Sequence, residues 1–483
     1  MKVLFATSEA VPLVKTGGLA DVSGALPAAL RRENVDIRLL IPGYPAVKAW
    51  LGTEMRHLAD VTLPPFPHAR LLGGSLPSGV PVIVIDCPPL FDRPGGLYAS
   101  AEGTDWPDND LRFGLLSGTA ALLAHRSSPL SWRPDILHCN DWQTGLAPIY
   151  LRAMRGEGAP TVFTIHNLAY QGIFLPGTIP RVGLPWELFR PDALEYYGNV
   201  SYLKAGCQFA TRLTTVSSTY AREIQSEPLG FGLQGLLSWR SRDLVGILNG
   251  IDTDAWNPQT DTAIPARYGI DTLPRKDRNR DALRQALGLD DIPGVPVAGV
   301  VSRLTHQKGL DLLAACAEGL LHLPLQIAVL GSGDLPLERA FQALAANHPG
   351  QIGVRVGFDE AFSRLVEAGA DFFLMPSRFE PSGLNQMYSQ RYGTPVVARS
   401  TGGLADSVID LTPESLVTGH ATGFLFEEAT PEALSGAVSR AVAAFRNRRV
   451  WRRLQRNGMG CDFSWDASAR EYGNVYRSVA GRG

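Results

Sequence analysis

The order of apolar and polar positions divides the chain into two series of buried strands alternating with helical stretches. In the first series, short strand candidates lie at residues 3–7, 36–41, 82–86, 135–139, 160–165 and 212–216. Runs of that length without alternation mark strands covered on both faces, as in a mostly parallel sheet. Residues 22–30 instead place Val22, Ala25, Leu26, Ala29 and Leu30 at helical spacing, so a helix follows the first strand. A turn at Leu248-Asn249-Gly250-Ile251-Asp252 opens a polar stretch that continues to Arg280. A second series then begins, at 297–302, 326–331, 353–357, 372–376, 395–399 and 423–426. This alternation predicts an α/β protein with two Rossmann-like, doubly wound domains, residues 1–247 and 248–464. A terminal segment, 465–483, carries a last helix predicted to pack back on the first domain.

Composition narrows the class. At 483 residues the chain is too long for one ordinary core, which fits two domains. A net charge of −2 carries no basic excess that would point to nucleic acid. Met1-Lys2-Val3 leads straight into a strand, so no signal peptide is expected, and no apolar run is long enough to span a bilayer. Five scattered cysteines without a Cys-x-x-Cys pair suit reduced thiols in the cytoplasm. Two Rossmann-like domains facing each other across a cleft form the architecture called GT-B among glycosyltransferases. The same pair of domains serves epimerases and phosphorylases, so the motifs must decide.

Lys15-Thr16-Gly17-Gly18-Leu19-Ala20-Asp21 lies between the first strand and its helix. A strand, a glycine turn and a helix start make an anion cradle, because glycine lets the backbone approach and the first helical N–H groups face negative charge. Lys15 adds a mobile cation. Ser400-Thr401-Gly402-Gly403-Leu404-Ala405-Asp406 repeats the pattern in the second half. The repeat makes Thr401, Gly402 and Gly403 ligand-facing candidates beside Gly18, with a ligand held between the two domains. In His138-Cys139-Asn140-Asp141-Trp142, Asp141 either accepts hydrogen bonds from sugar hydroxyls or caps the next helix. His166 and Asn167, at the end of the next strand, are either structural or sugar contacts. No pair of the nine histidines has metal-ligand spacing with a third ligand nearby. Asp252-Thr253-Asp254 has the form of an Asp-x-Asp metal motif, but its place after an Asn-Gly turn favours turn and cap chemistry. Without a metal, fixed cations must stabilise a diphosphate. Arg303 and Lys308, on the loop leaving the first strand of the second series, supply them. Cations there stabilise charge developing on a leaving phosphate. Glu380 follows the strand at 372–375, and the next helix start, near Gly383-Leu384, offers a second set of amides.

Taken in order, these motifs resemble bacterial and plastid glycogen and starch synthases, from residue 3 to about residue 472. The resemblance includes Thr7-Ser8-Glu9-Ala10, Asp92-Arg93-Pro94 with Tyr98, Asn140-Asp141-Trp142, Thr164-Ile165-His166-Asn167, Leu248 to Asp252, Ser302-Arg303 to Lys308-Gly309, and Arg378-Phe379-Glu380-Pro381. It implies a retaining glucosyltransferase that moves glucose from ADP-glucose to the non-reducing 4-hydroxyl of an α-1,4-glucan, with no metal or other cofactor. It also implies that Lys15, Arg303 and Lys308 hold the diphosphate with amides at Gly18, Leu384 and Asn385, on a phosphate loop that includes Ser382 and Gly383. Asp141, Asn167, Asn249 and Glu380 would bind the donor glucose, with His166 against the anomeric region. Asp21 and Tyr98 would lie near the nucleotide and its sugar. The acceptor would attack from the face the diphosphate leaves, a phosphate oxygen taking its proton, which fits the absence of a glycosidase carboxylate pair. Domain closure would assemble the site. Departures from the family pattern are Ser382 for cysteine and Asn385 for threonine, both expected to tune the loop. Related retaining enzymes carry a second acid eight residues after Glu380, where this chain has Tyr388. UDP-glucose as donor, and nucleotide-sugar epimerisation, are the alternative readings.

Overall fold

In the computed structural model, which describes residues 1–100 and 102–481, the chain forms two compact units. Unit 1 takes residues 1–250 and 465–483, the last two of which lie outside the described residues. Unit 2 takes residues 251–464. The break falls at Gly250, so Leu248 and Asn249 belong with the first unit and not with the second as expected. The physical reason is a tie to the last helix: Ser468 Oγ donates to the Leu248 carbonyl at 2.6 Å.

The strands of unit 1 are β1 (Lys2–Ala6), β2 (Asp36–Pro42), β3 (Arg56–Val61), β4 (Ala69–Ser75), β5 (Pro81–Asp86), β6 (Ile136–Asn140), β7 (Thr161–Ile165), β8 (Ile173–Phe174), β9 (Glu195–Tyr196), β10 (Asn199–Ser201), β11 (Arg212–Thr215) and β12 (Leu244–Gly246). Nine of them form one sheet in the order β12-β11-β7-β6-β1-β2-β5-β4-β3, while β8, β10 and β9 form a small sheet of their own. Pairing is parallel from β12 to β5. Every residue of β6 and β7 is buried, the polar His138, Asn140, Thr161 and Thr164 included, as strands covered on both faces require. The hairpin β3–β4 adds two antiparallel edge strands that apolar runs did not predict. Most β3 side chains are exposed or half-exposed, and β4 carries Gly73 and Gly74 where a Cβ would press on Leu58 and Leu51.

Unit 2 has β13 (Val297–Val301), β14 (Gln326–Gly331), β15 (Ile352–Val356), β16 (Phe372–Met375), β17 (Val396–Arg399) and β18 (Gly423–Phe426). They are parallel throughout, in the order β15-β14-β13-β16-β17-β18. Counted within the unit, that is the Rossmann order 3-2-1-4-5-6. In each sheet the strand order reverses beside the unit's first strand, between β1 and β6 and between β13 and β16. Loops leaving the carboxyl ends of such a pair diverge, and ligands of open α/β sheets bind there.

The last helix, Trp465–Ala480, packs on the first, Gly18–Arg32, and reaches the sheet of unit 1. Arg32 meets Asp466 at 2.6 Å. In the core, His138 on β6 is held from both sides, by Tyr476 Oη at Nδ1 (2.7 Å) and Thr164 Oγ1 at Nε2 (2.6 Å). Burial draws this imidazole down to about 3, with His166 adding a smaller push, so it is neutral near pH 7. Tyr476→Phe removes one partner from a fully buried ring nitrogen. We expect a loss of about 1–3 kcal/mol in denaturant unfolding; an unchanged midpoint would show that this bond does not anchor the helix.

Candidate active site

The loop after β1 is organised by a residue to which the motif reading gave no role. The buried Glu9 carboxylate accepts the N–H groups of Thr16 (2.6 Å) and Gly17 (3.0 Å) through Oε2, and the Tyr98 phenol (2.9 Å) through Oε1. It caps the approach to the helix, which therefore begins at Gly18, four residues earlier than the apolar spacing indicates. Tyr98 also meets Ser8 Oγ at 2.8 Å, so its hydroxyl is spent on the loop's framework. A Cβ on Gly17 or Gly18 would meet nothing within 4 Å, which leaves the backbone there open to an approaching group. Lys15 Nζ sits 2.7 Å from Asp21 Oδ1. With the lysine side chain 52% exposed, that pair contributes only about 0–1 kcal/mol and is easily exchanged for another anion.

The ends of β6 and β7 build a second cluster. Asp141 has φ +57°, a left-handed conformation uncommon outside glycine. Its N–H donates to the Thr164 carbonyl at 3.0 Å, and its Oδ1 accepts the His166 N–H at 2.7 Å. Asp141 thus caps the β7 loop across the sheet, in addition to standing before the short helical turn at Trp142–Thr144. Burial raises its carboxyl to about 7, against the pull of the His166 and Asn167 amides; Glu9 adds to the rise. His166 is buried, and desolvation draws its imidazole down to about 3. Asn140 Nδ2 donates to the Ala6 carbonyl at 3.0 Å, so its Oδ1 faces His166 Nε2 at 2.9 Å. That assigns the proton to Nε2 and leaves Nδ1 a lone pair. Asn167 is half-buried and its Oδ1 holds the Ala169 N–H. Asn249 is buried in the same unit, and its Oδ1 has no hydrogen-bond partner. Trp142 is fixed by Phe113, Phe174 and Tyr98, with centroid distances of 4.8, 5.9 and 6.2 Å.

In unit 2 the loops after β13 and β16 are locked together. Lys308 Nζ lies 2.5 Å from Glu380 Oε2, which also accepts Ser377 Oγ at 3.1 Å. Gly309 has φ +66°, and a Cβ there would sit 1.9 Å from the Pro376 carbonyl oxygen, so only glycine lets the two loops close. Arg378 grips Asp311 bidentately at 2.6 and 2.7 Å, and its N–H donates to the Gln307 carbonyl at 2.9 Å. Asn385 spends its side chain on the Val301 carbonyl at 2.6 Å, so its backbone is what remains to offer a ligand. Ser382 Oγ is buried without a partner, and Gly383 has φ +67° just before Leu384 and the helix Asn385–Arg391. Arg303 is exposed, and its guanidinium has no acidic partner among the described residues.

The structure therefore gathers Arg303, Lys308, Glu380 and the 382–385 loop in one unit, and Lys15, Gly18, Asp21, Tyr98, Asp141, His166, Asn167 and Asn249 in the other. The glycine repeat behaves differently in the two. Gly402 and Gly403 are buried, and Cβ atoms there would lie 2.0 Å from the Glu380 carbonyl oxygen and 1.9 Å from that of Ser382. Together with buried Thr401 they pack under the Glu380 loop, whereas the Gly17-Gly18 turn is open. In Asp252-Thr253-Asp254, the Asp252 carboxylate accepts the N–H groups of Asp254 (3.0 Å) and Ala255 (2.9 Å), an Asx turn. Among the described residues no three His, Cys, Asp or Glu side chains are grouped as a metal site. Phe358, 90% exposed just beyond β15, presents an aromatic face at the carboxyl edge of the sheet. An aromatic two residues past a strand end was the available signal for it.

Asp141 and His166 make opposite contributions to stability. A carboxyl raised to about 7 binds more protons folded than unfolded, so its favourable term is complete below pH 4 and is lost as pH rises through 7. The histidine, drawn down to about 3, contributes stability above pH 6.5 that is lost as pH falls toward 3. Asp141→Asn is expected to remove the decline between pH 4 and 7. Parallel stability–pH curves for the variant and the parent would contradict the raised carboxyl.

The chain is similar to known proteins along its length. Residues 2–239 match the starch synthase catalytic domain, and residues 280–457 match glycosyl transferases group 1. Over 483 residues the chain is 53% identical to a glycogen synthase of Nitrosospira multiformis, covering 99% of this chain and 97% of that one. It is 51% identical to glycogen synthase 1 of Methylococcus capsulatus, over 99% and 97% of the two chains. Among solved structures, the catalytic domain of starch synthase IV from Arabidopsis thaliana, bound to ADP and acarbose, superposes with a TM-score of 0.86 at 33% identity, over 100% and 99% of the two chains. A sucrose-phosphate synthase from Thermosynechococcus elongatus, 18% identical with a TM-score of 0.60 over the whole of both chains, shares the fold. With its two Rossmann-like domains and these relatives, the chain belongs to the glycogen and starch synthase family of GT-B glycosyltransferases.

Proposed function

We propose that the chain elongates an α-1,4-glucan by transferring glucose from ADP-glucose to the non-reducing 4-hydroxyl, with retention at the anomeric carbon. The observation that carries this assignment is the Lys308–Glu380 pair at the reversal point of a Rossmann sheet, with exposed Arg303 beside it. Arg303 and Lys308 would grip the diphosphate, joined by the amides of Leu384 and Asn385 and the unpartnered Ser382 hydroxyl. As the bond from the anomeric carbon to the phosphate oxygen breaks, negative charge grows on the diphosphate, and fixed cations stabilise it most at that stage. Glu380, held against Lys308, would face the positive charge developing on the sugar. Lys15 would exchange Asp21 for phosphate.

Asp141, Asn167 and the unpaired carbonyl of Asn249 would take glucose hydroxyls, and Asp21 and Tyr98 would border the nucleotide. His166, neutral and with its proton on Nε2, presents a dipole and no cation near the anomeric region. The acceptor hydroxyl would attack from the face the diphosphate leaves, its proton passing to a phosphate oxygen. Phe358 offers a flat surface on which a nucleobase would stack. That the starch synthase structure is described as bound to ADP supports adenine as the base. No helix among the described residues is long and apolar enough to cross a membrane, and the five cysteines are unbridged thiols, which supports a cytoplasmic setting.

Glucose incorporation into glycogen should be fast with ADP-glucose, slow with UDP-glucose, and unaffected by EDTA, because side-chain cations supply the charge. Transfer from UDP-glucose alone would reassign the donor. Loss of transfer in EDTA would refute the metal-free clamp, and no transfer from either donor would refute the activity.

A further inference from the structure

The helix Asn385–Arg391 fixes the Glu380 loop at its base. Gln386 Nε2 donates back to the Ser382 carbonyl at 2.9 Å and to that of Gly383 at 3.2 Å. Besides the bonds of Gln386 and Gln390 to Ser407, the helix is held in turn at three places. Asn385 binds β13 through the Val301 carbonyl, and Ser389 Oγ donates to the buried Glu367 carboxylate at 2.6 Å. At the third place Tyr388 lies flat on Trp256, with ring centroids 3.8 Å apart and planes inclined by only 13°.

Trp256 comes from a part of the chain with its own anchorage. It stands six residues past Gly250, where the chain leaves unit 1, and Ile251 donates to the Phe463 carbonyl at 2.7 Å beside the return crossing. The Asx turn at Asp252 delivers the indole, and the Trp256 N–H donates to the Asp252 carbonyl at 2.9 Å. The indole also packs against the Arg364 guanidinium, 4.2 Å from the ring centroid. Arg364 in turn holds the Ala255 carbonyl at 2.6 Å and Asp261 at 3.3 Å, and Asp261 accepts the Tyr392 phenol at 2.5 Å. Tyr392 meets the indole edge-on, at 6.2 Å and 71°. The Trp256 indole therefore joins the segment that connects the two units to the helix that carries the Glu380 loop.

We propose that Trp256 is a positioning residue for glucosyl transfer: through its stack on Tyr388 it sets the pose of Glu380 against Lys308. This rests on the transferase assignment above. It also gives Tyr388, eight residues after Glu380, a role through its ring as one half of a stack. The flat contact joins the helix to the segment after Gly250 through two ring faces, which an aliphatic side chain does not reproduce. Displacements of even about 1 Å at a reacting centre cost on the order of a hundredfold in rate.

The test compares kcat, donor KM and melting temperature of the full-length wild type, Trp256→Phe, Trp256→Ala and Trp256→Leu. In Trp256→Ala and Trp256→Leu we expect kcat to fall at least about tenfold while donor KM changes less than about threefold, the signature of lost transition-state positioning. Trp256→Phe keeps an aromatic face and is expected to recover most of that loss. A residue with a merely structural role would lower the melting temperature and leave kcat of the folded enzyme unchanged. Should Trp256→Ala fail to fold, Trp256→Leu, which keeps apolar volume without the ring, decides alone. Wild-type kcat in the leucine variant, or a phenylalanine variant as slow as the leucine one, would overturn the proposal. An inactive wild type would instead refute the transferase assignment on which it rests.

Discussion

One contact, Lys308 Nζ against Glu380 Oε2, ties the loops after β13 and β16 of unit 2 to each other. Both groups are largely buried, and removing one partner of such a pair leaves an uncompensated charge at a cost of about 3–5 kcal/mol. The surrounding loops are shaped to keep them together. Gly309 admits the Pro376 carbonyl, Gly402 and Gly403 admit the carbonyls of Glu380 and Ser382, and the Arg378–Asp311 fork closes the far side. Arg399 adds a bond to the Arg378 carbonyl. Nothing in this arrangement requires the anion to be present. In the proposed transfer a diphosphate would enter beside a cation already held against Glu380.

Lysine usage across the chain gives the same contact independent weight. Of 45 basic residues only six are lysines: Lys2, Lys15, Lys48, Lys204, Lys276 and Lys308. Lys276 is buried against the carbonyls of Glu367 (3.3 Å) and Ala368 (2.6 Å) and the Thr394 hydroxyl (2.7 Å), and Lys204 holds the Pro191 and Glu195 carbonyls. Lys15 and Lys308 are the two that face carboxylates on the loops assigned to phosphate.

The sheets were legible in the sequence because strands buried on both faces are short, rich in apolar residues and lack a strict polar alternation. All six predicted strands of each unit exist, as β1, β2, β5, β6, β7 and β11 in the first and β13–β18 in the second. The β3–β4 hairpin escaped because a strand with one face in water alternates, and its polar half reads as loop. Glu9 escaped for a related reason: a glutamate beside a glycine turn looks solvated until the backbone folds around it. The 400–406 loop was legible as a glycine loop but not as a support, since the carbonyls that exclude its side chains come from residues about twenty positions away. Leu248, expected to open the second domain, is tied to the first by a hydrogen bond from Ser468, more than two hundred residues distant. Spacing along the chain reports local geometry well, and contacts of that range not at all.

The central claim is that Lys308 and Glu380 act as one unit in the transfer step. A double-mutant cycle on kcat with Lys308→Gln, Glu380→Gln and the double variant measures it directly. If the two groups act together, each single variant loses on the order of a hundredfold and the double variant is little worse than the poorer single one. Losses that simply multiply would show two independent groups and contradict the account.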